Sequence, residues 1–124
     1  MTRILAVDDE PHILKLVAFS LSQHGYEVLE ATDGMSAVEI AESEQPDLIL
    51  MDVMMPLLDG YDACERIKSN PRTSHIPVVM LSAKSQVSEQ QAGLDRGALC
   101  YITKPFTPRE LVDRVGELVG DRPE

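Results

Sequence analysis

Acidic side chains follow two short apolar runs of the sequence, and a serine and a lysine follow two others. Asp8 and Asp9 come after the first run, Asp52 after the third, and Ser82 and Lys104 at the ends of the last two. Carboxylates that meet within a few ångströms repel one another by several kcal/mol, a cost tolerated mainly where a cation sits. Magnesium suits such a group best, because it keeps several waters and takes one or two carboxylates together with a phosphate. The residue types therefore predict Mg²⁺-assisted phosphate chemistry.

The elements between these residues decide whether they meet. Five aliphatic or β-branched runs alternate with segments whose apolar residues recur at helical spacing, such as Ile13, Leu16 and Val17. Five such βα units predict a parallel sheet with five helices on its two faces, in the doubly wound, flavodoxin-like order 2-1-3-4-5. The predicted strands are 4–7, 27–31, 48–51, 77–81 and 100–103. Ligands of such sheets bind beyond the carboxyl ends of the strands, where the winding reverses between strands one and three.

Two of the acidic positions allow different local interpretations. Asp9 stands two residues before Pro11 and fits the N-cap of the following helix about as well as it fits a site. Asp52 fits a cap poorly, because no helix is predicted to begin before Gly60. The loop after strand one lacks the glycine-rich amides that bind phosphate unaided. A phosphate must therefore arrive together with the metal.

The serine and the lysine also have ordinary alternatives. Ser82 fits a cap of a helix beginning near Ser85. Lys104 fits a plain surface lysine, but its place at a strand's carboxyl end, directly before Pro105, favours an ammonium held over the acidic cluster. The bond between Lys104 and Pro105 is also a candidate cis peptide.

Composition limits the classes of protein. The 124 residues are 44% hydrophobic and carry a net charge of −10, which fits one domain and opposes direct binding of nucleic acid. Cys64 and Cys100 show no ligand spacing and fit small core residues. The sequence contains no signal peptide and no membrane-spanning run, so a cytoplasmic protein is expected. We expect a domain over residues 1–120 and a tail over 121–124.

Four segments together resemble the CheY-like receiver domains of two-component response regulators. They are Val7-Asp8-Asp9-Glu10, Leu50-Met51-Asp52-Val53-Met54-Met55-Pro56 with Asp59-Gly60 after it, Leu81-Ser82-Ala83, and Tyr101-Ile102-Thr103-Lys104-Pro105-Phe106. The resemblance covers essentially the whole chain. Any one segment is a weak signal, but four in this order, each at a predicted strand end, are specific.

The resemblance implies a role for each site residue. Asp52 would accept a phosphoryl group from a histidine kinase or a histidine phosphotransfer protein. Asp9, Asp52 and the backbone carbonyl of Met54 would bind Mg²⁺ directly, and Asp8 would act through a metal-bound water. Lys104 and the Ser82 hydroxyl would each bind a phosphoryl oxygen. Such a chain catalyses only its own phosphorylation and dephosphorylation, so it is not an enzyme in the usual sense.

The resemblance also implies a switch. Ser82 would move towards the phosphoryl group, and Tyr101 would follow into the space it leaves, although Tyr101 fits a half-buried core aromatic equally well. The face formed by the fourth helix, fifth strand and fifth helix would then control a target protein or an output domain. Leu99 and Cys100 replace the acids that precede this tyrosine in the DNA-binding subfamily. We therefore expect a monomer or a weak phosphorylation-dependent dimer.

Three other functions remain as alternatives. A haloacid-dehalogenase-type phosphatase also uses a strand-end aspartate, but it has a second acid two residues later, where this chain has Met54. A flavodoxin-like cofactor binder shares the strand order, but Asp8 and Asp9 would repel a flavin phosphate. A receiver-like module that signals without phosphorylation would not need Asp9, Asp52, Ser82 and Lys104 together.

Overall fold

The computed structural model describes residues 2–55, 58–83, 94 and 96–120. The strands are β1 (Arg3–Val7), β2 (Glu27–Ala31), β3 (Leu48–Asp52), β4 (Val78–Ala83) and β5 (Cys100–Lys104). The helices are α1 (Pro11–Ser22), α2 (Gly34–Glu44), α3 (Gly60–Ser69) and α4 (Pro108–Val119). All strands are parallel and form one sheet in the order β2-β1-β3-β4-β5, which confirms the predicted topology.

Parts of the predicted architecture lie outside the described residues. The helix predicted over 85–94 is described only at residue 94, so the helix predicted as the fifth is α4 here. The tail predicted over 121–124 is likewise not described. Among the described helices, none is long and apolar enough to cross a membrane.

The central strands are covered on both faces. Every residue of β3 is buried, and β1 is buried from Ile4 onward, as expected for strands with helices above and below them. Each face has its own core. Ala41 of α2 and Ile67 of α3 belong to one, and Val17 of α1 and Leu111 of α4 belong to the other.

Three strands run farther towards their carboxyl ends than the hydrophobic pattern predicts. β3 includes Asp52, β4 ends at Ala83 and β5 ends at Lys104. The β4–β5 ladder continues through the pairs Ser82↔Thr103 and Ala83↔Lys104, so backbone hydrogen bonding extends past the last apolar residues. The candidate site residues therefore lie within or directly beside the sheet.

Helix starts agree with the turn residues of the sequence. Asp33 caps α2 by accepting from Ser36 N, and Asp59 caps α3 by accepting from Asp62 N. A capping box formed by Thr107 and Glu110 begins α4. These caps fix where α2, α3 and α4 begin.

Candidate functional site

The carboxyl ends of β1, β3 and β5 meet at one edge of the sheet. Asp8 follows β1 directly, Asp52 is the last residue of β3, and Lys104 is the last residue of β5. The Asp8 amide donates to Ala31 O at 3.2 Å, which extends the ladder with β2 by one residue. The sheet therefore brings together residues that are far apart in the sequence.

Lys104 joins two of the acids. Its Nζ lies 3.0 Å from Asp8 Oδ2 and 3.2 Å from Asp52 Oδ1. Asp8 is 1% exposed and Asp52 is 7% exposed, so water screens these charges poorly. This confirms that the lysine is held over the acids rather than free on the surface. The bond between Lys104 and Pro105 is cis, as predicted.

Asp9 completes a cluster of three carboxylates. One oxygen from each of Asp8, Asp9 and Asp52 lies within 4.8 Å of the others. Asp9 does not cap α1, because the N-cap residue is Glu10, whose side chain makes no capping hydrogen bond. The Glu10 amide instead donates to Asp8 Oδ1 at 3.0 Å. Asp9 is exposed at the mouth of the site, and its carboxylate is available to a ligand.

Burial and charge oppose the ionisation of Asp52. Burial raises the pKa of Asp52 to about 6, with smaller contributions from the negative charges of Asp8 and Asp9, while Lys104 acts in the opposite direction. Burial alone would lower the pKa of Lys104, but the two carboxylates outweigh it and raise that pKa. The lysine is therefore charged, and one ammonium among three carboxylates leaves an excess of negative charge. Hard oxygen ligands with this excess suit a divalent cation.

Ser82 lies in β4 and is completely buried. It is followed within the strand by Ala83, which contradicts the alternative that Ser82 is an N-cap. Tyr101 is paired with Met80 across the β4–β5 ladder. Met80 and Ser82 are two residues apart in β4 and point to the same face of the sheet, so Tyr101 lies on that face as well. Tyr101 is half-buried against the core that contains Met80. The serine and the tyrosine are therefore neighbours on one face.

The remaining predicted residues lie around this cluster. Met54 lies two residues after the end of β3 and is 63% exposed. Cys64 and Cys100 are free cysteines, buried and half-buried, as predicted for packing residues. Burial raises the pKa of the Cys64 thiol to about 11, which makes it unreactive at neutral pH.

The arrangement defines a class of site: a buried strand-end aspartate, two further acids and a lysine at the switch point of a doubly wound sheet. The family model described as the response regulator receiver domain matches residues 4–116. The chain belongs to this family. The expected resemblance is thereby confirmed, and the match favours it over the phosphatase and flavin-binding alternatives.

Individual relatives agree with this assignment. The chain is 44% identical over 119 residues to the DNA-binding dual master transcriptional regulator RpaA of Synechocystis, covering 96% of this chain and 49% of that protein. The chemotaxis response regulator CheY4 of Vibrio cholerae has a similar structure, with a TM-score of 0.90, 31% identity and coverage of 95% of this chain and 98% of that one.

A further solved structure bears on the metal. The receiver domain of the sensor histidine kinase PA1611 from Pseudomonas aeruginosa superposes with a TM-score of 0.88 and 32% identity, covering 97% of this chain and 98% of that one. That structure has a magnesium ion coordinated in its active-site cleft. The chain described here spans about half the length of the curated relatives it matches.

Proposed function

We propose that this chain accepts a phosphoryl group on Asp52 in a Mg²⁺-dependent reaction and changes conformation as a result. The donor is a histidine kinase or a histidine phosphotransfer protein. The observation that carries the proposal is the Lys104 ammonium, 3.2 Å from a buried Asp52 that shares its surroundings with two further carboxylates. An ammonium in this position neutralises charge on a phosphoryl group attached to Asp52.

Each residue of the site has a separate role in phosphoryl transfer. An Asp52 oxygen forms the bond to phosphorus while the bond to the donor's histidine nitrogen breaks, and the imidazole keeps that electron pair. Asp9, Asp52 and the Met54 carbonyl would hold Mg²⁺, with Asp8 acting through a bound water. The ion, when bound, neutralises negative charge on the phosphoryl oxygens. Lys104 pairs with a second oxygen, and most of the catalysis is positioning and charge neutralisation.

The response of the fold begins at Ser82. Its hydroxyl can bond the third phosphoryl oxygen only when the phosphoryl group is present, so phosphorylation favours any conformation that brings the two closer. Tyr101, on the same face of the neighbouring strand, follows into the space that Ser82 leaves. The change is read at the surface formed by β5, α4 and the helix predicted over 85–94. Coupling of this kind is typically about 1–3 kcal/mol.

The output belongs to a partner protein or to another domain. RpaA is described as DNA-binding, whereas this chain carries a net charge of −10. We propose that the chain itself binds no nucleic acid and acts on a target protein or an output domain, as a monomer or a weak phosphorylation-dependent dimer. Its only catalysis is its own phosphorylation and dephosphorylation.

Incubation with Mg²⁺ and acetyl phosphate, followed by intact-mass measurement, tests the proposal. We expect one phosphoryl adduct per chain, lost on adding a chelator and absent from Asp52→Asn. Asp59→Asn is the matched control and should retain the adduct, because Asp59 caps α3 outside the cluster. Turnover of many phosphodonor equivalents without an adduct would favour a phosphatase, and no reaction at all would favour a module that signals without phosphorylation.

A further inference from the structure

We propose that Gly60 is a positioning residue for phosphoryl transfer, because the absence of its side chain lets the start of α3 pack directly on the backbone of Asp52. A Cβ atom on Gly60 would lie 2.3 Å from Asp52 O and 2.9 Å from Val53 Cα. Real Cβ atoms essentially never approach other atoms within 3.0 Å. The Gly60 amide also donates to Val53 O at 2.9 Å. The inference rests on the proposed role of Asp52.

The contact acts on backbone atoms, which cannot rotate away. Relief of the overlap requires the end of β3 and the start of α3 to separate by about 1 Å, and a displacement of that size in a reacting group costs roughly 10²-fold in rate. Asp52 is held from its other side by the β3–β4 ladder, where it pairs with Leu81. Lys104 sits 3.2 Å from the Asp52 carboxylate, so the displacement changes this separation as well.

A second glycine supplies a matched control. Gly34 is also the first residue of a helix, also follows a capping aspartate, and is also tightly packed. Its Cβ would lie 2.1 Å from Leu58 O, and none of its three nearest atoms belongs to Asp52. Alanine at either position destabilises the fold, but only alanine at position 60 acts directly on the residue that receives the phosphoryl group.

The test compares Gly60→Ala with Gly34→Ala in the intact chain. Phosphorylation by acetyl phosphate is measured over a range of Mg²⁺ concentrations, and rates are corrected for the folded fraction from circular dichroism. At saturating Mg²⁺ we expect Gly60→Ala to react on the order of 10²-fold more slowly than wild type. Gly34→Ala should stay within about threefold, since its overlap is with Leu58. Equal losses in the two variants, or a wild-type rate in Gly60→Ala, would overturn the inference.

A double variant separates backbone from side-chain overlap. The Cβ on Gly60 would also lie 2.8 Å from Met80 Cε. Met80→Leu removes this terminal methyl group with little change in volume. If Gly60→Ala with Met80→Leu recovers the wild-type rate, the overlap with Met80 is responsible and the inference is wrong. A rate that stays low supports contact with the Asp52 backbone.

Variants that fail to fold in plain buffer can also test the inference. Variants that are unfolded in plain buffer are measured in trimethylamine N-oxide, which favours burial of the chain. If Gly60→Ala stays unfolded there while Gly34→Ala folds, Gly60 serves the whole fold and the inference is wrong. Wild-type protein in the same assay tests the proposed function separately, because a wild type without an adduct refutes that function regardless of either glycine.

Discussion

The Asp52 carboxyl is buried beside two other acids, and its proton is therefore held more tightly in the folded protein than in the unfolded chain. Its pKa is about 6 in the fold against an ordinary value of 3.8. The folded state thus binds more protons than the unfolded state between these values, and stability falls as the pH rises from about 4 to about 6. The residue proposed to do the chemistry destabilises the resting fold at neutral pH.

Asp52→Asn should consequently stabilise the protein at pH 7 in Mg²⁺-free buffer. We expect the free energy of unfolding to rise by about 2 kcal/mol, and the gain to shrink towards zero near pH 3, where the aspartate is largely neutral in both states. Urea titrations at the two pH values measure the difference. Asp113→Asn on the exposed face of α4 is the control and should change little at either pH. A gain that is the same at both pH values would contradict the assigned cause.

Removal of the lysine should have the opposite effect. Lys104→Met leaves Asp8 and Asp52 buried without their shared cation. We expect the free energy of unfolding to fall by about 2 kcal/mol at pH 7, less than for a fully buried pair because Lys104 is partly exposed. Added Mg²⁺ should reduce the difference in unfolding free energy between wild type and Lys104→Met, since the cation then neutralises the same carboxylates. Thermal melts with and without Mg²⁺ measure this.

A substitution of the exposed Lys15 is the control for charge alone. Lys15→Met removes the same charge from α1 without touching the acids. It should change stability by less than about 0.5 kcal/mol, with no greater response to Mg²⁺ than wild type. If Mg²⁺ does not change the loss of stability in Lys104→Met, the lysine contributes packing rather than charge.

Sequence patterns identified which residues meet but not how they bond. Asp8, Asp52 and Lys104 were predictable because parallel strands end at one edge. The Glu10 amide donates to Asp8, and Lys104 contacts both Asp8 and Asp52. These contacts depend on side-chain rotamers, which the periodicity of the sequence does not encode. Gly60 was predicted only as the start of a helix, since its distance from Asp52 appears only in the folded chain.

Three of the four described helices follow a residue whose type favours an N-cap. Asp33, Asp59 and Thr107 all accept a hydrogen bond from an amide in the first turn. Strand ends were less predictable. Ser82 and Lys104 are polar, so the predicted strands stop before them, yet the β4–β5 ladder continues through both. Ladder pairing depends on the neighbouring strand, which local sequence does not show.

The capping box of α4 gives a prediction at the level of the helix. In Thr107→Ala the Glu110 amide loses its bond to the threonine hydroxyl, now 3.1 Å long. We expect the free energy of unfolding to fall by about 1 kcal/mol, measured by urea denaturation. Thr32→Ala, at an exposed position between β2 and α2, serves as the control. It should lower the free energy of unfolding by less than half as much. Equal effects would mean that the cap contributes nothing beyond the loss of a threonine.

The sheet divides the molecule into two cores. Ile67 of α3 packs in one and Val115 of α4 in the other. Because the sheet separates them, the costs of Ile67→Val and Val115→Ala should add, with a coupling below about 0.5 kcal/mol in a double-mutant cycle. Equilibrium unfolding of the two single variants and the double variant measures this. Val115→Ala paired with Leu111→Ala, within one core, should instead couple by more than about 0.5 kcal/mol.

The ion pair between Asp8 and Lys104 joins residues 96 positions apart. Synthesis runs from the amino terminus, so β5 leaves the ribosome after the other four strands, and contacts over such separations form slowly. Until β5 docks, Asp52, the proposed phosphoryl acceptor, lacks its ammonium partner Lys104. We therefore expect a chain that lacks β5 to be a poor phosphoryl acceptor, because the proposed site is incomplete without Lys104.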